Sequence, residues 1–167
     1  MFSEHHFQSD DGLHLYYRTY PNSNSGLIHQ PLICLPGITR NSKDFHDLAV
    51  LLSQEQAVGR KIICVDYRGR GKSDWDPNKE NYNVKREALD VIQLLEHLNV
   101  SKASFIGTSR GGLVILMMAA LQPGCIESAI FNDIGPELDI SGLLDIKKYL
   151  DANKTPKNWD EAAQIQK

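Results

Sequence analysis

The sequence has no long apolar run. Its longest, Leu113 to Leu121, falls far short of the roughly 20 residues that a membrane-spanning helix needs. No membrane partner is therefore expected. Charge of one sign is not in excess either: 18 basic and 21 acidic residues leave a net charge of -3, which argues against a nucleic-acid partner. Cysteine is scarce. Cys34, Cys64 and Cys125 are odd in number and widely spaced, which excludes a disulfide framework and predicts buried free thiols in a reducing compartment. No C-x-x-C pair or His–Cys cluster suggests a metal, and no cofactor is implied. The opening residues, MFSEHHFQSDDG, lack a basic start followed by an apolar stretch. The expectation is a cytoplasmic protein.

What is there is an alternation of strand and helix signals. Glu4 to Gln8 and His14 to Tyr20, around the turn Asp10-Asp11-Gly12, read as a hairpin. The short apolar runs Pro31–Leu35, Lys61–Val65, Ala103–Ile106 and Ile126–Phe131 read as buried strands. Between them lie helix signals. One begins at Asn41 or Ser42, with Phe45, Leu48, Ala49, Leu51 and Leu52 as its apolar face. A second runs from Val84 to Leu98, and an almost wholly apolar one from Gly111 to Leu121. Such alternation predicts an α/β fold: a mostly parallel twisted sheet with helices on both faces, extended at one edge by the antiparallel hairpin. After Asp133 the character changes to short, mostly polar helix signals. The expected division is a core over residues 1–136 and a separate helical segment over 137–167.

The chemistry-bearing signal is Gly107-Thr108-Ser109-Arg110-Gly111, followed by Gly112. G-x-S-x-G is common by chance, but here a strand precedes it and an apolar helix follows. A chain that turns sharply from strand to helix lifts the middle side chain above the sheet, at the positive end of the helix. Ser109 is the expected nucleophile. Hydrolysis at a carbonyl also needs donors for the developing oxyanion. The backbone N–H of Arg110 is one candidate. The N–H of Ile38, in the turn Pro36-Gly37-Ile38-Thr39 after the first buried strand, is the other. Gly71-Lys72-Ser73 imitates the end of a phosphate-binding loop, but the glycine that loop requires stands here as Asp66, so the match fails. Asp66 to Asp74 reads instead as a structural loop beside the site.

The order of Leu35-Pro36-Gly37, then Asp66-Tyr67-Arg68-Gly69-Arg70-Gly71-Lys72-Ser73-Asp74, then Gly107-Thr108-Ser109-Arg110-Gly111-Gly112 resembles the α/β-hydrolase superfamily, in its serine-nucleophile branch. The resemblance covers Glu4 to about Pro136. Many members have His-Gly where this chain has Pro36-Gly37, but the donor is backbone and survives the change. Asn132-Asp133-Ile134-Gly135-Pro136 is similar to the segment that enters the helical cap in that family. The resemblance implies that residues from Asp139 onward begin a cap.

The family order is serine, then acid, then histidine. His5, His6, His14, His29, His46 and His97 all precede Ser109, and none follows. Asp133 is a candidate for the acid, the alternative being an acid after a further strand. The expectation is an N-terminal portion of a longer enzyme, whose base lies beyond Lys167, inactive alone, and whose open sheet edge either leaves it poorly soluble or pairs with another chain. The implied activity is hydrolysis of an ester or similar small acyl substrate through an acyl-enzyme, with lactone, carbon–carbon and perhydrolase chemistry open. The alternative is a non-catalytic protein that binds a small molecule in the same pocket.

Overall fold

A computed structural model describes residues 2–21, 29–55, 59–135 and 157–165, with positions 142, 144, 145 and 148. The chain divides into two units, Met1–Ile134 and Gly135–Lys167. The expected start of the cap at Asp139 lies outside the described residues. In the second unit the helix α4, Trp159–Ile165, is described.

Among the described residues the first unit has six strands: β1 (Ser3–Gln8), β2 (His14–Tyr20), β3 (Leu32–Leu35), β4 (Ile62–Val65), β5 (Ala103–Thr108) and β6 (Ile126–Asn132). Their order across the sheet is β1-β2-β4-β3-β5-β6. β3, β4, β5 and β6 run parallel, and β1 and β2 join antiparallel at one edge. Among the described residues of this unit the α-helices are α1 (His46–Gln54), α2 (Val84–His97) and α3 (Arg110–Leu121).

Side chains of successive strand residues point to opposite faces, and both faces of the central strands are covered. On β3, Leu32 and Cys34 join Tyr20, Ile62 and Cys64 against Phe45 and Ala49 of the α1 region. Ile33 and Leu35 join Ile63, Val65 and Tyr17 against Ala88, Val91 and Leu95 of α2 and Val114 and Met118 of α3. The three cysteines are buried and free. Local chemistry sets the helix ends. Asn41 caps a 3-10 turn, Ser42–Phe45, that leads into α1. The Asn83 side chain accepts from the Arg86 N–H at 2.9 Å at the start of α2. Asn99 ends that helix with φ of 54°, a left-handed conformation that asparagine tolerates.

Two expectations about burial are corrected. Leu48 and Leu51 are exposed on α1. Its buried residue is Ala49, beside Phe45 of the preceding turn, with Val50 and Leu52 packed alongside. β6 was expected to be a buried strand, but it stands at the sheet edge with Ile130 60% exposed. Its apolar run cannot reveal how many neighbours it has. Among the described residues no helix is long and apolar enough to cross a membrane.

The loop after β4 is pinned by charge. Asp66 accepts from the Ser42 N–H at 2.7 Å and the Lys72 N–H at 2.9 Å. Gly71, with φ of 54°, leaves the room its carboxylate fills, since a Cβ there would overlap it. The Arg68 side chain is 0% exposed. It meets Asp90 at 2.7 and 2.8 Å and Asp11 at 2.9 Å, and also pairs with Asp76. A buried cation needs such partners because desolvation alone costs several kcal/mol. These pairs tie the hairpin, the loop and α2 together.

Candidate active site

Parallel strands end in loops at their C-terminal edge, where sites of open α/β sheets form. β5 ends there at Thr108, and α3 starts two residues later. Ser109 therefore carries the whole reversal, with φ of 49° and ψ of -109°. Non-glycine residues adopt such a backbone only when their surroundings impose it.

The surroundings are visible residue by residue. The Ser109 N–H donates to the Asn132 carbonyl of β6 at 2.9 Å, and its own carbonyl accepts from the Gly112 N–H at 2.9 Å. A Cβ on Gly107 would come within 2.5 Å of the Gly111 carbonyl carbon. One on Gly111 would overlap the Leu35 carbonyl oxygen, and one on Gly112 would strike Ile134. Gly107 and Gly111 let strand, turn and helix pass each other at backbone distance, and Gly112 makes room for the Ile134 side chain. Ser109 itself is half-buried.

The two candidate oxyanion donors flank this turn. Arg110 is the first residue of α3, so its N–H is one of the donors a helix start leaves free. The Ile38 N–H has no acceptor among the described residues. β3 neighbours β5, with Leu35 opposite Gly107, so the turn bearing Ile38 follows the strand beside the elbow. The Arg110 side chain is tied to α2. Its Nε donates to Glu87 Oε2 at 2.7 Å, and Glu87 is 1% exposed. Burial raises the Glu87 carboxyl above its usual range, and the hydrogen bond and charge of Arg110 pull against that rise.

Asp133, the candidate acid, follows the Asn132 carbonyl that holds Ser109 and has φ of 54°. The histidines are engaged elsewhere. His5 bonds Thr19 at 3.0 Å, His14 pairs with Asp74 at 3.4 Å and His46 bonds Tyr20 at 2.9 Å. His6 and His97 pack on Tyr16 and Phe7. His29 precedes β3 and lines a cavity of about 450 Å³ with Leu32, Ser104 and Ile106, at the opposite end of the strands. Among the described residues no His, Cys, Asp and Glu side chains are grouped to hold a metal ion.

Reading the sequence missed three contributors: Asn132, Glu87 and Arg70. Glu87 had a signal, a carboxylate three residues after Val84 and four before Val91 on the apolar face of α2. Arg70 donates to the Ile38 carbonyl at 2.8 Å, and no local pattern marks it.

This geometry has close parallels among known proteins. A family model described as the alpha/beta hydrolase fold matches residues 30–165. A 3-hydroxybutyrate-oligomer hydrolase of Cupriavidus necator is 33% identical over 130 residues, which is 78% of this chain and 43% of that protein. An sn-1-specific diacylglycerol lipase of Danio rerio is 33% identical over 127 residues, 76% of this chain and 38% of its own. The crystal structure of an alpha/beta hydrolase from Novosphingobium aromaticivorans superposes with a TM-score of 0.84 at 35% identity, over 98% of this chain and 55% of that one. The chain thus spans about half the length, or less, of these relatives. Sheet order, strained elbow and family match agree, and the chain belongs to the α/β-hydrolase fold family.

Proposed function

We propose that this chain carries the nucleophile and oxyanion half of a serine hydrolase acting on carboxylic esters. The observation that carries this reading is the backbone of Ser109, held at φ of 49° between strand and helix beside Gly107 and Gly111, whose replacement would collide with neighbouring backbone. A structural serine has no need of so costly a conformation. The substrate class rests on the relatives, one named for a hydroxybutyrate oligomer and one for diacylglycerol, both carboxylic esters.

In the reaction the Ser109 Oγ attacks the ester carbonyl carbon and its proton passes to a histidine. The carbonyl oxygen becomes an oxyanion that accepts from the N–H groups of Ile38 and Arg110. Collapse expels the alcohol, which takes the proton back, and leaves an acyl-Ser109. Water, activated by the same histidine, then releases the acid. The six histidines of this sequence all precede Ser109, so in this reading the base is a histidine outside this sequence, and on that reading the chain alone is inactive. Asp133 at the end of β6 is one choice for the acid, and an acid outside this sequence is the other. The open edge of β6 is paired by further strands or by another chain.

A fluorophosphonate probe tests the reading. Mass spectrometry of the labelled full-length enzyme should place the adduct on Ser109, and Ser109→Ala should abolish it. The absence of an adduct there, in an enzyme that hydrolyses p-nitrophenyl butyrate, would refute it. A binding protein without turnover would show neither adduct nor hydrolysis.

A further inference from the structure

The turn after β3 is held at two successive peptide units. The Gly37 carbonyl accepts from the Arg40 N–H at 3.1 Å. That carbonyl shares one planar trans peptide with the Ile38 N–H, so fixing the oxygen inside the turn aims the hydrogen the opposite way. The next carbonyl, that of Ile38, accepts from Arg70 Nε at 2.8 Å. Arg70 Nη1 also reaches the Gly69 carbonyl at 3.4 Å. The arginine thus joins two backbone segments that are 32 residues apart in sequence.

Arg70 stands on a rigid mount. Its N–H donates to the Tyr67 carbonyl at 2.9 Å and its carbonyl accepts from the Ser73 N–H at 3.0 Å. Gly69, with φ of 66°, donates to the Asp74 carbonyl at 2.8 Å. Asp66 bonds the Ser42 and Lys72 N–H groups, which ties the same loop to the segment following the oxyanion turn. The buried Glu87, paired with Arg110, attracts the Arg70 guanidinium as well. Both residues whose N–H groups face the oxyanion are therefore anchored by side chains of this region, Arg110 directly and Ile38 through Arg70.

We propose that Arg70 is a positioning residue of the oxyanion hole, its guanidinium clamping the Ile38 carbonyl so that the Ile38 N–H keeps its aim. The proposal rests on the reading of Ser109 and Ile38 given above. Loss of an entire oxyanion donor costs about 100- to 1,000-fold in kcat, so a donor that is present but misaimed should cost roughly 10- to 100-fold.

The test uses the full-length enzyme with p-nitrophenyl butyrate and the corresponding thionoester, whose sulfur is a poor hydrogen-bond acceptor. Arg70→Met removes the donors and keeps the stem. It should lower kcat for the ester by about 10- to 100-fold with KM within about twofold. The thionoester rate should fall less, so oxygen-over-sulfur preference shrinks. Arg70→Lys should recover part of both. An Arg70→Met enzyme with unchanged ester kcat, or one losing both substrates equally as its Tm drops, would overturn the proposal. If the wild-type enzyme hydrolyses the ester but takes no fluorophosphonate at Ser109, the underlying reading fails and this proposal with it. Labelling with an indifferent Arg70→Met sinks the clamp alone.

Discussion

Gly111→Ala is the sharpest perturbation of the elbow. Gly111 lies in the first turn of α3, where alanine would ordinarily gain up to about 1 kcal/mol over glycine in helix propensity. Tertiary packing opposes that gain. An added Cβ would stand 2.8 Å from the Leu35 carbonyl carbon, with the carbonyl oxygen nearer still. Both obstructing atoms are backbone of a buried central strand, so no side chain can swing away. Relieving the overlap requires moving α3 from β3 by about 1 Å, and overpacking of this kind costs about 1–3 kcal/mol. The displaced segment carries Ser109 and the Arg110 N–H. A misplacement of about 1 Å in reacting groups costs roughly 100-fold in rate. Labelling of Ser109 by fluorophosphonate in the full-length enzyme should slow by about that factor, and Tm should fall. Gly124→Ala is the matched control, because nothing lies within 4 Å of the Cβ it would add. Its labelling rate and Tm should equal those of the wild type. A Gly111→Ala enzyme that labels within threefold of wild type without loss of Tm would refute the argument that close backbone passage builds the elbow.

Two further outcomes follow from the buried charges. Arg68→Met should destabilise the protein by about 3–5 kcal/mol, because it leaves Asp90, Asp76 and Asp11 without their shared cation. Urea unfolding at neutral pH measures this, and a loss below about 1 kcal/mol would contradict it. Acid stability should depend on Asp11. Burial pushes its carboxyl up, but hydrogen bonds from Arg68 and Ser9 outweigh that and hold it at about 2, below the usual 3.8. A lowered folded-state pKa stabilises the protein above the unfolded value, and the contribution is lost as pH falls. Urea midpoints should therefore drop between about pH 4 and pH 2, and Asp11→Asn should flatten that limb; an identical acid limb in the variant would contradict the assignment.

The sequence by itself determined the elements and the elbow, because the forces that make them are local. Strand, G-x-S-x-G and apolar helix are contiguous, and Gly107 is required by the backbone of the turn itself, whereas Gly111 and Gly112 are required by the distant Leu35 and Ile134. The hairpin at β1 and β2 and the alternation behind β3 to β6 were legible for the same reason: side-chain period and turn chemistry act over a few residues. Tertiary structure alone decided which apolar runs have neighbours on both sides. Ile62 of β4 is 0% exposed in the sheet interior and Ile130 of β6 60% at its edge, because strand order is set by long-range pairing. It also decided the supports of the candidate site. Arg70 reaches Ile38 across 32 residues, and Glu87 reaches Arg110 across 23. Each of these bonds joins groups distant in sequence, and only the close packing of loops and helices at one end of the sheet brings donor and acceptor within 3 Å.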